Sequence, residues 1–338
     1  MEPKVHEIDP NGDTLLTLRN PNAPFAAPPS PPAEQQEQQE QPKSDAADEP
    51  QTLAEDKPEV RMRLSSRHLT LASAYFEKMM SNDWKETTAE GDYSYVVDAE
   101  GWDEEALLTL MNIIHGKTAD LSMTINLEML AKIAVLADYY QCHVAVKFFS
   151  SLWLQGIDRK AMSGRDLLLL LSVSCVFPDP DTFKESTMSL ITKSTGVLDS
   201  LGLPIPQTVI DAVNERREKF IPAIVDGLKR LIRYEYSNRV LGCSFDCSSM
   251  FIGALGKNMD SLRLTDQYLT PPYVGHSLMT LKDGIFDFSE PSWRRFCDGW
   301  RTNRRRNTCS LSDNVRPIVE TQIKRVVGLE LKDFIKTS

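Results

Sequence analysis

At 338 residues, with 41% hydrophobic and 25% charged positions, the chain has an ordinary globular composition and room for two domains. The net charge of −10 is concentrated in residues 1–60, where 13 Asp and Glu meet 4 Lys and Arg. The remainder is close to neutral, which argues against nucleic acid as a partner. The longest apolar runs, residues 131–137 and 167–171, are too short to span a bilayer, and the polar opening of the chain lacks a secretory signal. A cytoplasmic or nuclear protein is expected, and its six cysteines are therefore expected to be thiols or metal ligands.

Residues 8–13 read as turn chemistry, and Thr14-Leu15-Leu16-Thr17-Leu18 as the first strand. From about residue 26 to residue 58 the composition turns to Pro, Gln and Glu without apolar periodicity, which predicts a disordered insertion. Alternating apolar and basic residues at 60–64 predict a second strand. Leu71, Ala72, Tyr75, Phe76, Met79 and Met80 then recur at helical spacing. A third strand is expected at 93–97. The next helix, capped by Asp98 or Asp103, carries Ala106, Leu107, Leu110, Ile113 and Ile114 on its stripe and stops at Gly116. Asn126 opens a further helix, and another runs over about 143–154. Beyond residue 159 the pattern is helical: amphipathic stretches at 166–175 and 181–192, a long charge-laced helix at 207–236, then 248–259 and 315–326.

Three passages in this order resemble a BTB/POZ domain. The first is Leu64-Ser65-Ser66-Arg67-His68-Leu69-Thr70-Leu71-Ala72-Ser73-Ala74-Tyr75-Phe76, similar to the family's strand-to-helix passage. The second runs from Trp102 to Gly116, and the third from Asn126 to Cys142. Segments around Phe177-Pro178-Asp179-Pro180, Leu203-Pro204-Ile205-Pro206 and Cys243-Ser244-Phe245-Asp246-Cys247 resemble BTB/POZ proteins of filamentous fungi with an extended helical C-terminal region. The resemblance implies an α+β fold, a small sheet flanked by helical hairpins over residues 6–158, followed by a mostly helical domain over 159–338. It also implies a non-enzymatic interaction protein or adaptor. A homo-oligomer is compatible with it, although about a dozen residues before the first strand leave little room for a swapped N-terminal element.

Within this frame Trp84 and Glu86 match the hydrophobic-x-Glu pattern with which several BTB domains dock a cullin scaffold of ubiquitin ligases. Met111 and His115 would complete that partner surface. The plainer alternative packs Trp84 into the core and leaves Glu86 solvated. Cys243 and Cys247, with Cys297, Cys309 and His276 further on, could close a structural zinc site, or Cys243 and Cys247 could simply pack as small hydrophobes. The basic cluster Arg301, Arg304, Arg305 and Arg306 reads as a solvated loop or as a nuclear localisation signal, which would suit a nuclear regulatory scaffold. No phosphate loop, nucleophile elbow or H-E-x-x-H motif occurs in the sequence.

Overall fold

The structure is a computed structural model that describes residues 4–27, 59–81, 92–162, 164–236, 245–292 and 310–335. The insertion expected over 26–58 therefore lies almost wholly outside the described residues. The chain divides into two compact units: residues 1–158 with 201–204, and residues 159–200 with 205–338. The architecture is mixed α and β, with helices far outweighing one small sheet.

The first unit contains β1 (Lys4–Glu7), β2 (Thr14–Arg19), β3 (Glu59–Leu64) and β4 (Tyr95–Glu100), in the sheet order β1-β3-β2-β4. β2 and β3 are antiparallel with Leu16 opposite Met62, β4 runs parallel to β2, and β1 runs parallel to β3. Five of six β2 residues are buried, and β3 alternates as expected of a half-buried strand. β1 was not anticipated, and the chain meets its first strand about ten residues earlier than its sequence suggests. Its polar residues give no apolar alternation; Lys4 and His6 instead reach Glu104 Oε1, at 2.6 and 2.8 Å.

The helical stretch after β3 is two helices, α1 (Ser66–Ala72) and α2 (Ala74–Ser81). Ser73 separates them: its buried hydroxyl accepts from the Phe76 N–H and donates to the Tyr140 carbonyl, tying the break to the next helical pair. α3 (Glu104–Ile114), α4 (Leu127–Tyr139) and α5 (His143–Gly156) follow. Asp103, not Asp98, caps α3 by accepting from the Ala106 N–H at 2.9 Å, and its other oxygen holds Lys132 of α4 at 2.8 Å. Gly116, at φ +69°, takes the left-handed stop after α3. Gly12 turns the chain where a Cβ would collide with the Leu64 carbonyl.

The second unit comprises α6 (Gly164–Val176), α7 (Pro180–Lys193), α8 (Gln207–Tyr236), α9 (Phe245–Ser261), α10 (Leu278–Phe286) and α11 (Leu311–Lys324), then a short 3-10 turn at Leu331–Asp333. α6 is not amphipathic as its sequence suggests: every residue from Leu167 to Val176 is buried. It packs on α7, which also meets α8, α10 and the 3-10 turn. The segment after α11 is stitched back across the fold. Lys184 pairs with Glu330 at 2.5 Å, Leu329 N–H donates to Thr187 Oγ1, and Arg216 donates to the Val327 and Gly328 carbonyls. No described helix is long and apolar enough to cross a membrane.

Candidate functional site

The end of α3 and the β3–α1 junction come together in the first unit, and the expected partner residues divide there. Met111 follows Leu107 by four residues and precedes Ile114 by three, so it belongs to the apolar stripe and is 0% exposed. Its side chain, expected on a docking face, is turned into the core of the first unit. His115, the residue that closes α3, is part-buried and committed to the chain itself. Its Nε2 accepts from the Ser65 N–H at 2.9 Å, and its Nδ1 lies 2.8 Å from the Met111 carbonyl. The His68 ring stacks on it with centroids 5.0 Å apart. Burial pushes the His115 imidazole below its ordinary value. Trp84 and Glu86 lie outside the described residues.

In the same unit an aromatic cluster links three segments, and sequence patterning did not single it out. Tyr139, at the end of α4, meets Trp102 edge-on at 5.2 Å, Tyr75 of α2 at 5.4 Å and Tyr140 at 4.9 Å; Tyr140 stacks on Phe76 at 5.0 Å. Phe76 and Tyr140 are buried, and burial carries the Tyr140 phenol far above its ordinary value. Trp102 and Tyr75 are half-buried, while Tyr139 is 48% exposed. The inner rings fix the outer ones, so a preorganised aromatic surface faces solvent, of the kind enriched at the centre of protein interfaces. The only sequence signal was the adjacency of Tyr139-Tyr140 at a helix end.

No protein-family model matches the chain, and no curated protein matches it significantly.

Of the expected zinc ligands, Cys247 is described; Cys243, Cys297 and Cys309 lie outside the described residues, as do Arg301, Arg304, Arg305 and Arg306. Cys247 is buried in the first turn of α9. The main-chain carbonyl of His276 accepts from the Arg217 guanidinium at 2.8 Å. Burial, then the nearby Arg217 charge, push its imidazole below the ordinary value. Among the described residues no group of three or more His, Cys, Asp or Glu comes together to hold a metal.

Arg217 is the least expected polar residue of the second unit. Its position in the charge-laced run of α8 suggests solvent, yet it is 0% exposed. Its Nε donates to Ser194 O at 2.9 Å, Nη1 to Pro272 O at 2.6 Å, and Nη2 to the carbonyls of Tyr273 and His276. It joins α8 to the end of α7 and to the loop before α10 through main-chain atoms alone. Arg217 thus serves the architecture, whereas the aromatic cluster faces outward.

Proposed function

We propose that the chain is a protein-interaction module of the BTB/POZ type whose work is binding, not catalysis. One observation carries the reading. After an additional first strand, β1, the elements β2, β3, α1–α2, β4, α3 and α4–α5 run in an order compatible with the sequence resemblance, and this compatibility supports the reading. The exposed Tyr139 ring, backed by the half-buried Trp102 and Tyr75, supports a binding role, since rigid aromatic rings supply contact area at low entropic cost. A cullin scaffold, engaged through Trp84 and Glu86, is the partner class the resemblance puts first. The second unit would then hold the protein that is delivered.

Affinity purification of wild type, Trp84→Ala and Tyr139→Ala from the cells of origin, read by mass spectrometry, tests this. The expected result is a cullin recovered with wild type and lost with Trp84→Ala. A partner set without cullin that disappears with Tyr139→Ala would retain the interaction reading and move the docking surface to the aromatic cluster. Absence of any partner whose recovery depends on either residue would overturn it.

A further inference from the structure

Ser65 is the hinge residue between β3 and α1, and two side chains from elsewhere in the first unit hold the hinge. His115 receives the Ser65 N–H on Nε2. Asp13 receives the Ser66 N–H at 2.8 Å and the Ser66 hydroxyl at 2.7 Å. A backbone N–H can only donate and a carbonyl can only accept. The two partners of His115 therefore define its state: a neutral imidazole with its proton on Nδ1, facing Met111 O, and a bare Nε2 facing Ser65.

A second proton has nowhere to go without breaking this arrangement. Placed on Nε2, it opposes a donor to a donor across 2.9 Å. The surroundings add to the obstacle: the stacked His68 ring and Lys117 disfavour a positive imidazole, while Asp9 favours one. Asp13 differs. Burial pushes its carboxyl upward, but the hydrogen bonds from Ser66 and Thr14 outweigh this and hold it below its ordinary value. The Asp13 clasp thus keeps its charge down to the ordinary carboxyl range, whereas the His115 clasp is lost wherever its ring takes a second proton.

We propose that His115 is an acid-operated latch on the β3–α1 junction: protonation of Nε2 removes the acceptor of the Ser65 N–H and frees the start of α1, while Asp13 keeps Ser66 attached. The opening is local and reversible, because the Asp13 clasp and the β2–β3 ladder remain in place. The sign follows from the neutral ring. The stabilisation from His115 is complete above the unfolded-state value of about 6.5 and is lost as pH falls below it toward the lower folded-state value.

The test is made on the full chain by imidazole nitrogen NMR and by hydrogen exchange over residues 64–72 from pH 7.5 down through the His115 titration that the NMR locates, after correction for intrinsic exchange. His115 is expected as the Nδ1–H tautomer at pH 7.5. Protection over 64–72 should fall about tenfold or more in step with its titration and return on neutralisation. In His115→Gln, whose amide oxygen accepts without titrating, that step should vanish. His68→Gln, which removes the stacked ring, should move both the titration and the loss of protection to higher pH; it serves equally if His115→Gln does not fold. An Nε2–H tautomer at pH 7.5 overturns the proposal. So does protection over 64–72 that is flat across the range, or a step that survives in His115→Gln or fails to move in His68→Gln.

Discussion

Replacing Arg217 by Met removes a buried cation while retaining most of its volume, and the cost can be worked from its four bonds. Hydrogen bonds from a charged donor contribute about 1.5–3 kcal/mol each, so four amount to roughly 6–12 kcal/mol gross. Against this stands the penalty of holding a guanidinium out of water with only carbonyl partners, several kcal/mol for a buried ion. Burial lowers the Arg217 pKa, with Glu218 partly offsetting it, in line with that penalty. The freed carbonyls of Pro272, Tyr273 and His276 belong to an exposed or half-exposed loop and regain water, which removes part of the loss. The net expectation for Arg217→Met is about 2–4 kcal/mol of destabilisation in the second unit. Arg217→Lys should not rescue it, because one ammonium cannot span four carbonyls on two segments that the planar fork reaches together. Urea unfolding followed by a probe of the second unit measures the loss, and limited proteolysis around residues 271–276 reports whether the loop has come free. A Met variant within about 0.5 kcal/mol of wild type, with the loop equally resistant, would refute the reasoning, since surface substitutions stay within that range.

Three further outcomes are expected. Gly328→Ala places a Cβ against the Lys184 carbonyl, a backbone atom that cannot step aside, and should cost about 1–3 kcal/mol by thermal or urea unfolding, in the range of overpacked sites. Tyr139→Ala, at a position 48% exposed, should lower stability by only about 1–2 kcal/mol while leaving the Tyr140–Phe76 stack in place, as monitored by near-ultraviolet circular dichroism. Glu104 is held below its ordinary carboxyl value by the Lys4 and His6 hydrogen bonds, and Asp103 by those from Lys132 and Ala106, which outweigh the upward push of burial. Their stabilisation is present above about pH 4 and lost as pH falls through the lowered values, so the melting temperature of the first unit should drop as pH falls below about 4. Glu104→Gln should flatten that drop.

Where an element buries one face, its sequence shows it: the alternation of β3 and the stripe of α3 are readable residue by residue. The stripe also contained the burial of Met111, because positions 107, 111 and 114 lie on one helical face. Elements stabilised by something other than an apolar face were hidden. β1 exposes most of its surface and is held by Glu104, about a hundred residues away. α10 is short, and its capping box uses Ser277 with Thr280, where the familiar signature has Glu or Gln at the second position. Ser73 breaks a continuous helical pattern through a bond to Tyr140 that no local window contains. Arg217 lies in the run Asn214-Glu215-Arg216-Arg217-Glu218-Lys219, where composition gives no sign of which arginine turns inward. The aromatic surface was equally illegible, because Tyr75, Trp102 and Tyr139 come from three separate segments.

The stitching of residues 327–330 onto α7 and α8 has a consequence for how the second unit is made. Thr187 and the Leu329 amide it accepts from are 142 residues apart. At a synthesis rate of about 5–20 residues per second, α7 waits roughly 7–30 seconds before its partner emerges from the ribosome. Throughout that interval α7 lacks the cover of Leu329 and Leu331, both buried in the finished fold. The nascent second unit should therefore be a client for chaperones during this window, and a message truncated shortly before residue 327 would leave it permanently in that state.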